Sequence, residues 1–149
     1  MTETLPMMIY IADKYKPELL GSTPQERATV SMICSIIYDA KRSITHIAYV
    51  NDDKEAFKTN AWTQLEPIAK FLGDKKFIMG DNVTLPDLII TELLNSVVAV
   101  KEGETLENKI PNLYALLTLV NELPEIKAFL ESDRCEDFKF NNKIAHINS

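Results

Sequence analysis

Glycine, cysteine and histidine are scarce in this chain, and each shortage disfavours a class of fold or of binding site. Four glycines in 149 residues disfavour a fold built from sheets and tight turns. The two cysteines, Cys34 and Cys135, match no disulfide or metal spacing, which predicts free thiols in a reducing compartment. Of the two histidines, His46 has no His, Cys or carboxylate partner at metal-ligand spacing, and this disfavours a metal site.

Positive charge, long apolar runs and targeting patterns are also lacking. The net charge of −6 disfavours nucleic acid as a partner. No apolar run reaches about 18 residues, so no membrane-spanning helix is predicted. Residues 1–6 have neither the basic and apolar pattern of a signal peptide nor the Arg-rich pattern of a transit peptide. We therefore expect a cytoplasmic protein with no membrane partner.

Familiar catalytic patterns are missing as well. The sequence contains no internal repeat, no Gly-rich phosphate loop, no Ser/His/Asp set and no H-E-x-x-H. No residue is therefore assigned a catalytic or metal-binding role. What remains is an ordinary globular composition, 46% apolar and 26% charged, which is enough for one domain with a sizeable core.

The stretch 80–88 carries the strongest local signals. Thr84 and Asp87 have the spacing of a helix capping box, with Asp in place of the usual Glu or Gln. Pro86 fits the first turn of a helix, where a missing N–H costs little. Residues 88–100 are then apolar on nearly every side of a helix. We predict a structural role for Thr84 and Asp87, as the cap of the most buried helix.

Apolar periodicity predicts an all-α protein. The predicted helices cover residues 4–15, 24–49, 54–72, 85–100, a segment that begins at 110 and stays apolar to 120, and 126–132. A linker at 17–22 and a polar loop at 101–104 separate some of them. The two long helices, joined by a short turn, are expected to be antiparallel neighbours.

The second helix, opened by a capping box at Thr23 and Glu26, has two unlike faces. One face is an apolar stripe expected in the core: Ile33, Ile36, Ile37, Ala40, Ile44, Ile47 and Ala48. The other face carries aromatic and hydrogen-bonding groups: Ser35, Tyr38, Arg42, His46 and Tyr49. Those tyrosines either meet a ligand or pack on a neighbouring segment, and the sequence leaves both interpretations open.

Four segments resemble the glutathione transferase family: G-D-x-x-T-x-x-D at 80–87, Y-I-A-D-K at 10–14, I-P-N-L at 110–113 and L-P-E-I-K-A-F-L-E-S at 123–132. In the second helix, Met32, Asp39 and the run 47–49 resemble mu- or sigma-like members of the family. The resemblance implies that 23–149 is the C-terminal helical domain of this family, a bundle of about five helices. It implies that 1–16 is the terminal helix left from a thioredoxin-like domain, with 17–22 as the linker.

The resemblance also implies where ligands bind. Glu3 and Thr4 match the acidic-or-amide and hydroxyl pair that holds the γ-glutamyl end of glutathione, at a helix start where N–H groups favour a carboxylate. The alternative is that Thr4 is only an N-cap. Tyr49, with Tyr38 and Arg42, falls on the helix that lines the family's electrophile pocket.

The activity that the resemblance implies is conjugation of glutathione, as a substrate, to hydrophobic electrophiles. The thioredoxin-like strands and the thiol-activating Tyr, Ser or Cys that should precede Glu3 are absent from the sequence. We therefore expect a protein that lost its first domain, a fragment, or a misplaced start. One alternative is a non-catalytic interaction module in a larger assembly, and another is passive carriage of hydrophobic ligands. A homodimer or protein assembly would form through the first helix and the two long helices.

The tail, residues 133–149, carries Phe138 and Phe140 in alternation. In several classes of the family this tail folds over the substrate pocket. The sequence itself favours a loosely packed surface tail.

Overall fold

The structure is a computed structural model that describes residues 2–50, 52–101, 103–135 and 144–148. In these ranges the predicted all-α fold is confirmed, and only an isolated bridge between Phe77 and Gly80 has β-type pairing. The α-helices are α1 (Thr4–Tyr15), α2 (Pro24–Val50), α3 (Lys54–Leu72), α4 (Leu85–Ala99), α5 (Leu106–Lys109), α6 (Pro111–Asn121) and α7 (Pro124–Leu130). Single 3₁₀ turns lie at Pro17–Leu20, inside the expected linker, and at His146–Asn148. None of the helices described has both the length and the apolar character needed to cross a bilayer.

The core is organised around α4. Ten of its fifteen residues are buried, so the expectation of a helix buried on nearly every side is confirmed. α4 packs against both α2 and α6, and α2 packs in turn along α3. The two longest helices therefore flank the most buried one, and apolar burial on this scale is the main source of stability in a small helical domain.

The start of α2 is fixed by the predicted capping box. The Glu26 carboxylate accepts hydrogen bonds from the backbone N–H groups of Ser22, at 2.7 Å, and Thr23, at 3.0 Å. In return the Thr23 hydroxyl oxygen accepts from the N–H of Glu26 at 3.1 Å. The bond from Ser22 and then that from Thr23 lower the pKa of Glu26. Orphan donors of the first helical turn are thus satisfied by side chains.

Three details of the predicted helices need correction. Ile36, which was expected in the core stripe, is 41% exposed, because it is turned about 100° around the helix axis from the fully buried Ile37. The last helix spans Pro124–Leu130, two residues earlier than expected, because Pro124 occupies its first turn. The short helix α5 was not anticipated, and its N-cap is the Thr105 hydroxyl, which accepts from the Asn108 N–H at 3.4 Å.

The end of the tail is packed rather than loose. Ala145 and Ile147 are 2% exposed, and the 3₁₀ turn at His146–Asn148 lies against α2. The expectation of a loosely packed tail is therefore wrong for these residues. The two aromatic residues of the tail, Phe138 and Phe140, lie outside the described residues.

Gly21 closes the linker in a conformation that other residues avoid. Its φ is +91°, and a Cβ added there would lie 2.7 Å from the Cβ of Glu26. We expect Gly21→Ala to lower the free energy of unfolding by about 2 kcal/mol, since a positive φ costs roughly 1–2 kcal/mol and the contact adds to it. Gly73→Ala is the matched control, because φ is +56° and the nearest atom is 3.9 Å away. Equal losses in urea unfolding would contradict a steric role for Gly21.

Candidate functional site

α1 crosses α2 in the opposite direction, and two side-chain contacts define the crossing. The Arg27 guanidinium donates to the Asp13 carboxylate at 2.9 Å, near the end of α1 and the start of α2. The Tyr38 hydroxyl donates to Sδ of Met8 at 3.4 Å. The two helices are therefore antiparallel at this crossing. The start of α1 points toward the half of α2 that follows Tyr38.

The first turn of α1 presents Glu3 and Thr4 to solvent. Glu3 is the N-cap residue, with φ −90° and ψ 137°, and its side chain makes no capping hydrogen bond. Thr4 is the first helical residue, so the alternative that Thr4 is the N-cap is incorrect. Both side chains are exposed. The pair is therefore not used to stabilise the helix.

This helix start has a small set of hydrogen-bond donors. The N–H of Met7 is already bonded to the Glu3 carbonyl at 3.1 Å, and Pro6 has no N–H. The backbone N–H groups of Thr4 and Leu5 and the Thr4 hydroxyl have no acceptor among the residues that the structure describes, so they can donate to an external anion. Because these donors lie at the positive end of the helix dipole, a carboxylate is the ligand they favour.

Tyr38 packs on α1 and keeps its proton. Burial, then the negative charge of Glu92 and the Cys34 thiol, raise the pKa of its hydroxyl above the usual range. At neutral pH the hydroxyl is therefore a hydrogen-bond donor. Its acceptor is Sδ of Met8, and a thioether sulfur is a weak hydrogen-bond acceptor.

Arg42 and Tyr49 lie on the same side of α2 as Tyr38 but farther along it. Eleven residues separate the two tyrosines, so their backbone positions are about 16 Å apart. The Arg42 guanidinium lies 3.6 Å from the Asp39 carboxylate, and both side chains are largely exposed, so this pair adds little stability. Tyr49 is partly buried against the core. The three residues line one strip and do not converge on a point.

Cys34 is not available as a nucleophile. The side chain is fully buried in the core, close enough to the start of α4 to interact electrostatically with Asp87. Burial, followed by the negative charge of Asp87, raises the pKa of the Cys34 thiol to about 12. The reactive form of cysteine is the thiolate, which is therefore almost absent at neutral pH.

Asp87 is the centre of a buried hydrogen-bond cluster at the start of α4. Its Oδ2 accepts from the Thr84 backbone N–H at 2.8 Å and from the Thr84 hydroxyl at 2.7 Å, in a helix capping box. Its Oδ1 accepts from the backbone N–H of Ile78 at 2.7 Å. Burial raises the pKa of Asp87, and the bonds from Ile78 and Thr84 oppose that rise. This fully buried carboxyl ties the turn before α4 to the start of the helix.

The bond to Ile78 was not predicted from the sequence. The turn that presents Ile78 is closed by two backbone hydrogen bonds between Phe77 and Gly80, at 2.8 and 3.0 Å. Gly80 has a φ of +128°, which only glycine adopts readily. In the sequence, Gly80 is the one sign of this contact, since a glycine here indicates a turn that folds back toward the capping box.

The described residues contain no cluster of potential metal ligands. Nowhere among them do three or more His, Cys, Asp or Glu side chains come together in a way that could hold a metal ion.

Comparison with known proteins gives the family. The model of the glutathione S-transferase C-terminal domain matches residues 38–133, more than half of the chain. The chain belongs to the glutathione transferase family. Most of the matched segment is α2, α3, α4 and α6 with their connections, which includes the α4 cap.

Curated relatives carry the class-mu name. The class-mu 26 kDa isozyme 1 of Fasciola hepatica is 33% identical over 137 residues, 90% of this chain and 60% of the relative. The class-mu 26 kDa isozyme of Schistosoma mansoni is 32% identical over 138 residues, with 90% and 61% covered. Glutathione S-transferase Mu 5 of Rattus norvegicus is 29% identical over 149 residues, with 97% and 64% covered. This transferase-family chain thus spans about three fifths of their length.

Solved structures show the same fold. The structure of NaGST-2 superposes with a TM-score of 0.76 at 22% identity, covering 93% of this chain and 71% of that one. Rat hPGDS complexed with a quinoline gives a TM-score of 0.69 at 20% identity, covering 87% and 66%. The helical arrangement of this transferase-family chain is therefore shared with both.

A groove of about 1060 Å³ lies elsewhere on this transferase-family chain. It runs along α3 and faces the segment that leads into α6, and none of the expected ligand-binding residues on α1 and α2 lines it. Its floor contains Lys58, which was not predicted from the sequence. Lys58 is only 5% exposed, and its ammonium lies 5.3 Å from the centre of the Trp62 ring. The available signal was the Lys-to-Trp spacing of four residues on one helix face.

Proposed function

We propose that the chain is the helical part of a glutathione transferase that joins glutathione to hydrophobic electrophiles. The observation that carries the proposal is the family match over residues 38–133. In that reaction the glutathione thiolate attacks an electrophilic carbon, the leaving group departs with its electron pair, and the thiol proton passes to solvent. Glutathione is thus a substrate, and the proposal requires no metal.

The proposed binding residues for the γ-glutamyl end of glutathione are Glu3 and Thr4. Three features support this role: exposure of both side chains, two backbone N–H groups without an acceptor in the described part of the chain, and a helix of twelve residues behind them. The carboxylate of the ligand would accept from the N–H groups and from the Thr4 hydroxyl. Glu3 would accept from the ligand's ammonium group.

The proposed electrophile side is the strip of α2 that holds Tyr38, Arg42 and Tyr49. It is supported by the direction of α1, whose first turn points toward this half of α2. Tyr38 supplies a protonated hydroxyl, and Arg42 supplies an exposed guanidinium. A flat hydrophobic molecule lying along the strip would meet aromatic surface near both of its ends.

Thiol activation is the part of the reaction that the described residues do not supply. Tyr38 holds its proton more tightly than an ordinary tyrosine, and Cys34 is buried. We therefore propose that the activating group comes from a thioredoxin-like domain, of which residues 1–16 form the last helix, with 17–22 as the linker to the helical domain 23–149. Cytoplasmic placement, with both thiols outside disulfides, fits this proposal.

A second function, as an interaction module, is favoured by one specific observation. The outer face of α1 exposes an apolar stripe at helical spacing: Met7, Tyr10, Ile11 and Tyr15. Such a stripe requires a partner surface, which a thioredoxin-like sheet or another protein would provide. On α2, Met32 and Ile36 are also exposed and offer a face for a homodimer. The long helix and α1 would then both serve assembly.

The glutathione contact is testable with two matched threonines. We expect Thr4→Val to weaken retention on immobilised glutathione by at least about tenfold, the minimum value of one hydrogen bond to a charged group. Thr2→Val is the control, because Thr2 is also exposed and lies outside the proposed contact. Glu3→Gln should keep retention, since an amide accepts from an ammonium, whereas Glu3→Ala should lose it.

Catalysis is tested separately by supplying a chloronitrobenzene electrophile and glutathione. The chain alone should show no turnover above the uncatalysed rate. Turnover should appear when the proposed thioredoxin-like domain, which carries the thiol-activating group, is added. Retention lost equally in both threonine variants would contradict the assigned glutathione site. Absence of retention, together with elution in a large complex, would support the interaction module instead.

A further inference from the structure

The groove along α3 contains a buried positive charge that no carboxylate neutralises among the residues placed in the structure. Among the described residues, the Lys58 ammonium donates one hydrogen bond, to the carbonyl oxygen of Val97 at 3.2 Å. An ammonium has three donors, so two of them have no acceptor in this part of the structure. Loss of solvation in this position lowers the pKa of Lys58. An anion bound beside Lys58 would recover the interactions that burial removed.

The acidic residues of the groove are mostly engaged with other lysines. Four lysines and three glutamates line it. Glu66 pairs with Lys70 at 3.0 Å, and Glu104 pairs with Lys109 at 3.4 Å. Both pairs are exposed at the rim, where water screens them. Lys58 is therefore the deepest charge in the groove, in a chain whose overall charge is negative.

Apolar surface adjoins this charge. Trp62 and Ile110 line the groove and are less than a tenth exposed, and Pro111 lines it at the start of α6. The volume of about 1060 Å³ is at the upper end of the range of small-molecule sites. One buried cation beside an apolar wall is the arrangement that suits a ligand with an acidic head and a hydrophobic body.

We propose that this groove binds a small amphipathic carboxylate, with Lys58 as its charge anchor and Trp62 and Pro111 as its apolar wall. The site is separate from the proposed glutathione contact, because none of its lining residues belongs to α1 or α2. It is also independent of the proposed transferase activity. Occupancy would bridge α3 and the segment that leads into α6.

The test uses Trp62, because the chain has a single tryptophan and its indole N–H gives one NMR signal. 4-Phenylbutanoate is titrated into the full ¹⁵N-labelled chain, and 4-phenylbutan-1-ol serves as the uncharged analogue. We expect the carboxylate to shift the indole signal saturably and to bind at least about tenfold more tightly than the alcohol, the minimum for a charge-assisted hydrogen bond. Equal affinities would overturn the proposal, as would no shift at about 10 mM ligand.

Two variants separate the anchor from the rim. Lys58→Met, which keeps the length and apolar stem of the side chain, should weaken carboxylate binding at least about tenfold and leave the alcohol unchanged. Lys70→Met removes a rim lysine and should change carboxylate binding less than about twofold. If Lys58→Met retains full carboxylate binding, or if binding falls equally in both variants, the Lys58 ammonium is not the group that binds the carboxylate. The comparison of carboxylate and alcohol in the unmodified chain decides the matter even if Lys58→Met does not fold.

Discussion

Asp87→Ala is expected to lower the free energy of unfolding by at least about 3 kcal/mol. The substitution leaves the backbone N–H groups of Ile78 and Thr84 buried without acceptors, at about 1–3 kcal/mol each, and removes a helix cap worth about 1 kcal/mol. The carboxyl group is fully buried, so water does not replace it. The loss also falls on α4, which both α2 and α6 pack against. Urea unfolding followed by circular dichroism measures it.

Asp81→Ala is the control for this measurement. Asp81 lies in the turn before the same helix but is exposed, so its loss should stay within about 0.5 kcal/mol. Thr84→Ala should fall between the two, at about 1 kcal/mol, because the Asp87 carboxylate keeps its bonds to both backbone N–H groups. If Asp87→Ala costs no more than Asp81→Ala, the hydrogen-bond cluster does not stabilise the fold as described.

Cys34 is expected to react with a disulfide reagent about a thousandfold more slowly than an ordinary cysteine. A pKa of about 12 reduces the thiolate fraction by that factor near neutral pH, and burial blocks the approach of the reagent as well. In a Cys135→Ser variant, which retains only Cys34, the native protein should release no measurable thiolate-derived chromophore during an assay in which free cysteine reacts completely. In denaturant the same variant should release one equivalent.

The reciprocal variant supplies the control. Cys34→Ala retains Cys135, which is partly exposed and should react readily in the native state. Rapid reaction of Cys34 in the native protein would mean that the contact between α2 and the start of α4 opens easily. The tight packing of α2 against the start of α4, at the centre of the core, would then be contradicted.

Much of the fold was accessible from local sequence patterns. The bounds of α1 and α3 agree with those predicted, because a proline or glycine closes each helix and apolar periodicity fills it. The burial of α4 followed from apolar residues on nearly every side. The capping residues Thr23 and Glu26 are close in sequence, so a pattern of four residues contains the whole interaction.

The remaining features depend on contacts between distant segments. Ile78 lies nine residues before Asp87, and no helical or strand periodicity links the two. Lys58 is buried because the end of α4 brings the Val97 carbonyl to it, thirty-nine residues away. The packing of Ala145 against the helical core likewise depends on where the tail returns. These contacts cannot be predicted from sequence spacing, because they depend on how the helices pack.

The candidate site shows the same division. The sequence placed Tyr38, Arg42 and Tyr49 on one side of a helix, and helical geometry is enough for that. It did not reveal that the Tyr38 hydroxyl contacts Met8, which fixes the direction of α1 over α2. Without that direction, the relation between the start of α1 and the tyrosine strip is undefined. The assignment of glutathione to Glu3 and Thr4 remains a prediction carried by the family pattern.

Residue-level mapping by NMR shows where glutathione binds on this chain. Glutathione is titrated into the ¹⁵N-labelled chain, and backbone amide signals are followed. We expect saturable shifts at the N–H groups of Thr4 and Leu5, smaller shifts on α2 near Tyr38, and none along the α3 groove. Shifts confined to the groove, or no shift at the start of α1 at concentrations of about 10 mM, would contradict a glutathione site at this helix start.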